Sequence, residues 1–185
     1  MPPMLRRLGV PMAVALSICA VSNGMASAQQ VAQANQVMAA FVYRLPQFVE
    51  WPADALEGSD ALEICIAEPD PLSATLEHLL DGENLQDRPL AVRRLGRSRN
   101  LDGCHVLYVS ADAYRPDTLL ERAADRPILT VGDAPDFLDA GGIIQLMVLD
   151  RRIRFEVSSG AAARAGLQLS SQLMDLAVAV RGGPP

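Results

Sequence analysis

Three short apolar runs constrain this chain more than anything else in it: LEICIA (62–67), VLYV (106–109) and ILTV (128–131). Each is shorter than a typical buried helix, and none alternates polar with apolar residues. Runs of that length, bounded by proline, glycine or aspartate, read as strands covered on both faces. Pro69, Asp70 and Pro71 close the first, Pro127 opens the third, and segments with helical apolar spacing lie between. Strands alternating with helices make a parallel sheet, because a parallel pair needs a long crossover connection.

The pattern changes towards the C-terminus. IIQLMVL (143–149) and RIRFEV (152–157) flank Asp150-Arg151 and read as a β-hairpin. In its second strand Arg152, Arg154 and Glu156 take one face, and Ile153, Phe155 and Val157 the other. The expected architecture is α/β: a single three-layer domain with a mostly parallel central sheet, a C-terminal antiparallel hairpin edge and helices on both faces.

Elements around these strands follow from local signals. Val31, Ala34, Met38, Phe41, Val42, Leu45 and Phe48 form the apolar stripe of a first helix. Pro46 must kink or break it, and Pro52 should stop it near Glu50, leaving Trp51 to close over the core edge. Helices are expected over Leu72–Leu80, from a cap at Ser110 or Asp112 to about Ala124, and from Asp133-Ala134-Pro135-Asp136 onward. A strand is expected over Leu90–Leu95, a small helix or turn over 161–166, and a last helix over 169–180.

The first residues have the form of a secretory signal peptide: Arg6 and Arg7, an apolar run over 8–21, then Met25-Ala26-Ser27-Ala28 with a cut after Ala28. This divides the chain into a signal peptide (1–28), one exported domain (29–181) and a disordered tail (182–185). Removing 28 of 185 residues leaves 157, enough for one core. The exported part carries 14 arginines against 22 acids, with no lysine. That balance argues against nucleic acid or anionic lipid as partners. Cys65 and Cys104 are then an even pair in an oxidising compartment. They read as a disulfide, with two buried free thiols in neighbouring strands as the alternative. A bridge would close a loop of about 40 residues, worth roughly 3–4 kcal/mol on the chain-entropy estimate.

Signatures of catalysis are missing, and no catalytic, metal or cofactor-binding residue is assigned. Glu68-Pro69-Asp70-Pro71 follows the first strand, where α/β sheets place ligands, but two prolines and two acids are the reverse of a phosphate cradle. The chain has no G-x-G-x-x-G, Walker A or G-x-S-x-G pattern. Asp70, Asp112 and Asp133 could share the sheet's carboxyl edge and hold a cation, yet each precedes an expected helix and reads first as a cap. Ser158-Ser159-Gly160 reads as a turn with a cap, and Glu50 and Asp54 as solvated acids. His78, His105 and the cysteines offer too few ligands for zinc, since Cys104 and His105 point to opposite faces of a strand. Arg88, Arg93, Arg94, Arg97 and Arg99 form a basic cluster after 11 carboxylates between Glu50 and Asp87. Such charge contrast suits a protein partner, and Arg93, Arg94, Arg97 and Trp51 are candidate contacts.

Several stretches together resemble the YfiR family of periplasmic regulators: AAFVYRLPQFVEWP (39–52), LEICIAEPDP (62–71), RPLAVRRL (88–95), CHVLYVS (104–110), PILTVGDAPDF (127–137), GGIIQLMV (141–148) and RIRFEVSSGAAARAGLQLSSQLMDLA (152–177). The resemblance implies a small periplasmic α/β protein that represses a membrane-bound diguanylate cyclase by binding its periplasmic sensor domain. Cyclic-di-GMP, adhesion and biofilm are the output. An outer-membrane lipoprotein is the implied second partner, and a homodimer stays open. The family's cysteine pair falls on Cys65 and Cys104. Pro46 and Ser158 depart from the family's usual residues, and a second cysteine pair is absent, so a redox role tied to that pair does not carry over. The rival reading is a periplasmic small-ligand sensor of the same fold; a hydrolase is a remote third.

Overall fold

The computed structural model describes residues 33–182 except 86, 98 and 151. The expected cut after Ala28, and the tail beyond Gly182, lie outside the described residues. In chain order the elements are α1 (through residues 33–44), a 3-10 turn (Leu45–Phe48), β1 (Val49–Glu50), a second 3-10 turn (Ala53–Leu56), β2 (Leu62–Ala67), α2 (Ser73–Leu80), β3 (Asn84–Leu85), β4 (Arg88–Leu95), β5 (Val106–Val109), α3 (Pro116–Ala123), β6 (Leu129–Gly132), β7 (Ile144–Leu149), β8 (Arg152–Ser158), α4 (Ser159–Arg164), β9 (Gln168–Leu169), α5 (Ser171–Leu176) and β10 (Ala179–Arg181).

Among the described residues, eight strands form one sheet in the order β3-β4-β2-β5-β6-β7-β8-β10. Strands β4, β2, β5, β6 and β7 run parallel. β8 returns antiparallel to β7, and β3 lies antiparallel on β4. β1 and β9 form a separate small antiparallel pair. The α/β reading with a mostly parallel sheet therefore holds.

Side-chain alternation divides the core in two. Ile64, Val106 and Leu129 stand in register and belong to one cluster, with Ala39, Val42, Leu76, Leu80, Ala161 and Leu173 from the covering helices. Cys65 and Leu107, one residue on, face the other cluster with Leu119, Leu120, Ala123 and Phe137. Strands buried on both faces explain runs without polar alternation.

Three expectations need correction. The first helix does not reach Glu50: α1 ends at Arg44, Pro46 sits in the first positions of the 3-10 turn, and Val49–Glu50 pairs with Leu169 and Gln168. A proline cannot donate to the i−4 carbonyl, so the helix tightens and stops. The last helix ends at Leu176, and β10 pairs parallel with β8, so the hairpin is not the sheet's edge. β-Branched Val180 favours the strand. Ser159 Oγ donates to the carbonyls of Arg181 and Gly182, while Arg181 pairs with Asp139 and Glu156. The segment after Asp133 forms turns rather than a helix. Asp133 Oδ1 accepts from Ala111 N–H at 2.7 Å, so it does not cap its own segment. The Phe137 ring fills the space where glycine stands: a Cβ at Gly132 or Gly142 would lie 2.3 or 2.2 Å from it.

Candidate functional site

α1, its 3-10 extension and α5 enclose an apolar groove of about 510 Å³. Its floor follows from the sequence. Leu45 and Leu173 are the inward residues of their short helices, and Phe155 is an inward residue of β8; all three are buried. Phe41 meets Phe155 edge to face, with centroids 6.5 Å apart. Phe48 completes the aromatic lining, and Arg44 and Gln47 are among its few polar members.

The surface beside the groove is also apolar. Val37 and Leu176 line it and are 44% and 60% exposed. Val180, in register with buried Val157, presents the same face of the sheet from β10. Val148 shares the parity of buried Ile144 and Leu146 on β7. Val178, just before β10, donates its N–H to the carbonyl of Phe155, so five of the seven exposed large apolar side chains among the described residues gather on this side; Tyr114 lies elsewhere, and the hairpin-tip Leu149, paired with Arg152, takes the opposite face. Single exposed apolar residues are ordinary, but their concentration beside one groove marks an interaction surface.

The arginines named from sequence do not share one surface. Arg93 and Arg94 are neighbours in a strand and diverge. Arg93 Nε donates to Glu63 at 2.7 Å, while its other nitrogens donate to the carbonyls of Asn100 and Asp102 and to Cys104 Sγ. It fastens the loop before β5 to β2 and β4. Arg94 makes two bonds to Glu77 of α2 and approaches Glu68 at 3.6 Å. Arg88 donates to Ser59 O. Arg97 is exposed and makes no ion pair among the described residues. Trp51 is half-buried against the core, and its Nε1 donates to Pro127 O at 3.1 Å. Cys65 and Cys104 are joined, with Cα atoms 5.8 Å apart.

The acids at the carboxyl edge do come together, without forming a cation site. Burial raises the Asp70 carboxyl, aided by the charges of Asp133 and Asp112, while hydrogen bonds from Leu72 N–H and Ser110 oppose it. Its Oδ1 caps the approach to α2. Asp112 is exposed and does not cap α3, which begins at Pro116 behind a left-handed Arg115. Burial next to these carboxylates also raises the Tyr108 phenol, which stays neutral. No group of three His, Cys, Asp or Glu among the described residues has the arrangement to hold a metal ion. Ser158 Oγ accepts from Ala161 N–H and caps α4. Glu50 and Asp54 are exposed, as is His78.

Sequence reading missed the groove for one reason. Its lower lip was assigned to a helix over 169–180, which would have put Leu176 and Val180 on the helix's inward stripe with Leu169 and Leu173 instead of leaving them exposed. The aromatic stretch Phe41–Trp51 carried the available signal: Trp51 serves the core edge, and Phe41 and Phe48 line the groove.

Among the described residues no helix is long and apolar enough to cross a membrane. Comparison with curated proteins found no match. A family model described as YfiR/HmsC-like matches residues 35–178, which run from within α1 to the residue before β10 and include the groove and both cysteines. The chain belongs to the YfiR/HmsC-like family.

Proposed function

We propose that this protein is a non-enzymatic periplasmic regulator that binds the periplasmic domain of a membrane-bound diguanylate cyclase and represses it. The observation that carries the reading is the apolar groove with its exposed rim of Val37, Leu176, Val178 and Val180. An apolar helix or strand of the partner would bury this surface, and burial of such area supplies the main driving force for association. Family membership supports the cyclase as partner, and export would place the Cys65–Cys104 bridge in an oxidising compartment. An outer-membrane lipoprotein that relieves repression, or a second copy of the chain, would compete for the same face.

The experiment is intracellular cyclic-di-GMP in a clean deletion, complemented with wild type or with Leu176→Asp. Deletion should raise the nucleotide and wild type should restore it. Leu176→Asp should fail to restore it, although the purified variant melts as wild type does. An unchanged cyclic-di-GMP level on deletion overturns the reading.

A further inference from the structure

A second concavity, of about 1070 Å³, lies at the carboxyl ends of β2, β4 and β5. The chain leaves β2 through α2 for β4 on one side, then crosses back to β5 on the other side of β2. Such a reversal leaves a crevice between the diverging loops, and open α/β sheets hold ligands there. Here the crevice is lined by Arg97 and Arg99 from the loop after β4, Tyr114 and Arg115 from the loop after β5, and Arg122 from α3.

Charge makes the cleft unusual for this chain, whose formal net charge is −6. None of the four arginines takes part in an ion pair among the described residues. Two acids also line the cleft, Glu68, which lies 3.6 Å from Arg94, and Asp70, which accepts from Leu72 N–H, so four guanidinium groups face two carboxylates. Tyr114 is 66% exposed, and the Arg99 guanidinium lies 5.0 Å from its ring centroid. Arg99 and Arg115 both hold left-handed backbone, at φ 49° and 50°, in a region that non-glycine residues seldom enter.

We propose that this cleft binds a small organic anion, its carboxylate or phosphate held by Arg97, Arg115 and Arg122 and its flat ring laid on the Tyr114–Arg99 pair. Guanidinium forks match both anionic groups through paired hydrogen bonds. The volume suits a solute of nucleotide size rather than a bare ion. The proline-rich loop after β2 offers no glycine cradle, so side chains rather than backbone N–H groups would hold the charge. The site is separate from the apolar groove and does not depend on the regulatory reading.

The test is calorimetric titration of the purified chain at fixed ionic strength with inorganic phosphate, adenosine 5′-monophosphate and phthalate. The two ring-bearing anions should bind about tenfold tighter than phosphate. Arg97→Ala/Arg122→Ala should weaken all three by about tenfold or more, and Tyr114→Ala only the ring-bearing pair. These side chains are exposed, so unliganded melting temperatures should match wild type. Absence of binding by all three probes at millimolar concentration overturns the proposal, as does binding that the double variant leaves unchanged or that ignores the ring. Capture of a poly-glutamate peptide in place of the small anions overturns it too, and makes the cleft a protein surface. Leu176→Asp should bind the probes normally.

Discussion

Glu63 and His105 hold each other across the start of β2 and β5: Glu63 N–H donates to His105 Nδ1 at 3.0 Å, and His105 N–H donates to the Glu63 carbonyl at 3.0 Å. The ring is buried and must stay unprotonated at Nδ1 to accept. Burial holds its pKa below the ordinary 6.5, against the pull of the Glu63 carboxylate. The unfolded chain therefore takes up the proton first. Stability contributed here is complete above pH 6.5 and is lost as pH falls from 6.5 towards the depressed folded value. Melting temperature should drop between pH 7.5 and pH 5 more steeply in wild type than in His105→Gln. Parallel slopes would remove His105 as the cause.

Asp70 behaves in the opposite sense. Its folded pKa lies above 3.8, so its cost is absent at low pH and grows as pH rises through the raised value. Asp70→Asn keeps an oxygen for Leu72 N–H and cannot ionise. The variant should melt higher than wild type at pH 7, with the gap closing below about pH 4. A lower melting temperature at both pH values would show that the carboxylate is needed as a charge.

Cys65 and Cys104 are 39 positions apart. Joining them removes about 4 kcal/mol of unfolded-chain entropy on the loop estimate. Cys65→Ala/Cys104→Ala should lower the melting temperature by about 10 °C for a domain of this size. Intact mass with and without reductant should differ by two hydrogens. Equal masses would mean that the thiols are free in the exported protein.

Gly142→Ala should destabilise by about 1–3 kcal/mol, because the new methyl meets the buried Phe137 ring. Denaturant unfolding of Gly142→Ala, Phe137→Leu and the double variant measures the coupling. The double variant should cost less than the two single changes together. Simple additivity would show that the loop yields without involving the ring.

The sheet was legible in the sequence because its strands are buried on both faces. LEICIA, VLYV and ILTV have no polar side to confuse them with a helix, and the breakers beside them mark their ends. What was not legible depended on distant partners. Val180 joins β8 because Ser159 and Arg181 fasten β10 there, and beyond the β-branching of Val180 no local pattern records that. Asp133 would cap its own segment if Ala111 did not claim its oxygen. The basic cluster was visible as composition, but strand alternation and the Glu63 and Glu77 carboxylates divided it. The arginines that meet in the cleft come from three segments spread over 25 positions, the loop after β4, the loop after β5 and α3, and their spacing alone does not reveal that they meet.

Phe137 with Gly132 and Gly142 constrains how this protein can change over generations. Gly142 cannot gain even one carbon while the ring is present, Gly132 is blocked by the ring and by the Val109 carbonyl as well, and loss of the ring opens a void beneath the sheet. Any lineage that leaves this arrangement must pass through a weakened intermediate or alter two positions together. The three residues should therefore be inherited as a unit, whatever the surfaces around them come to bind.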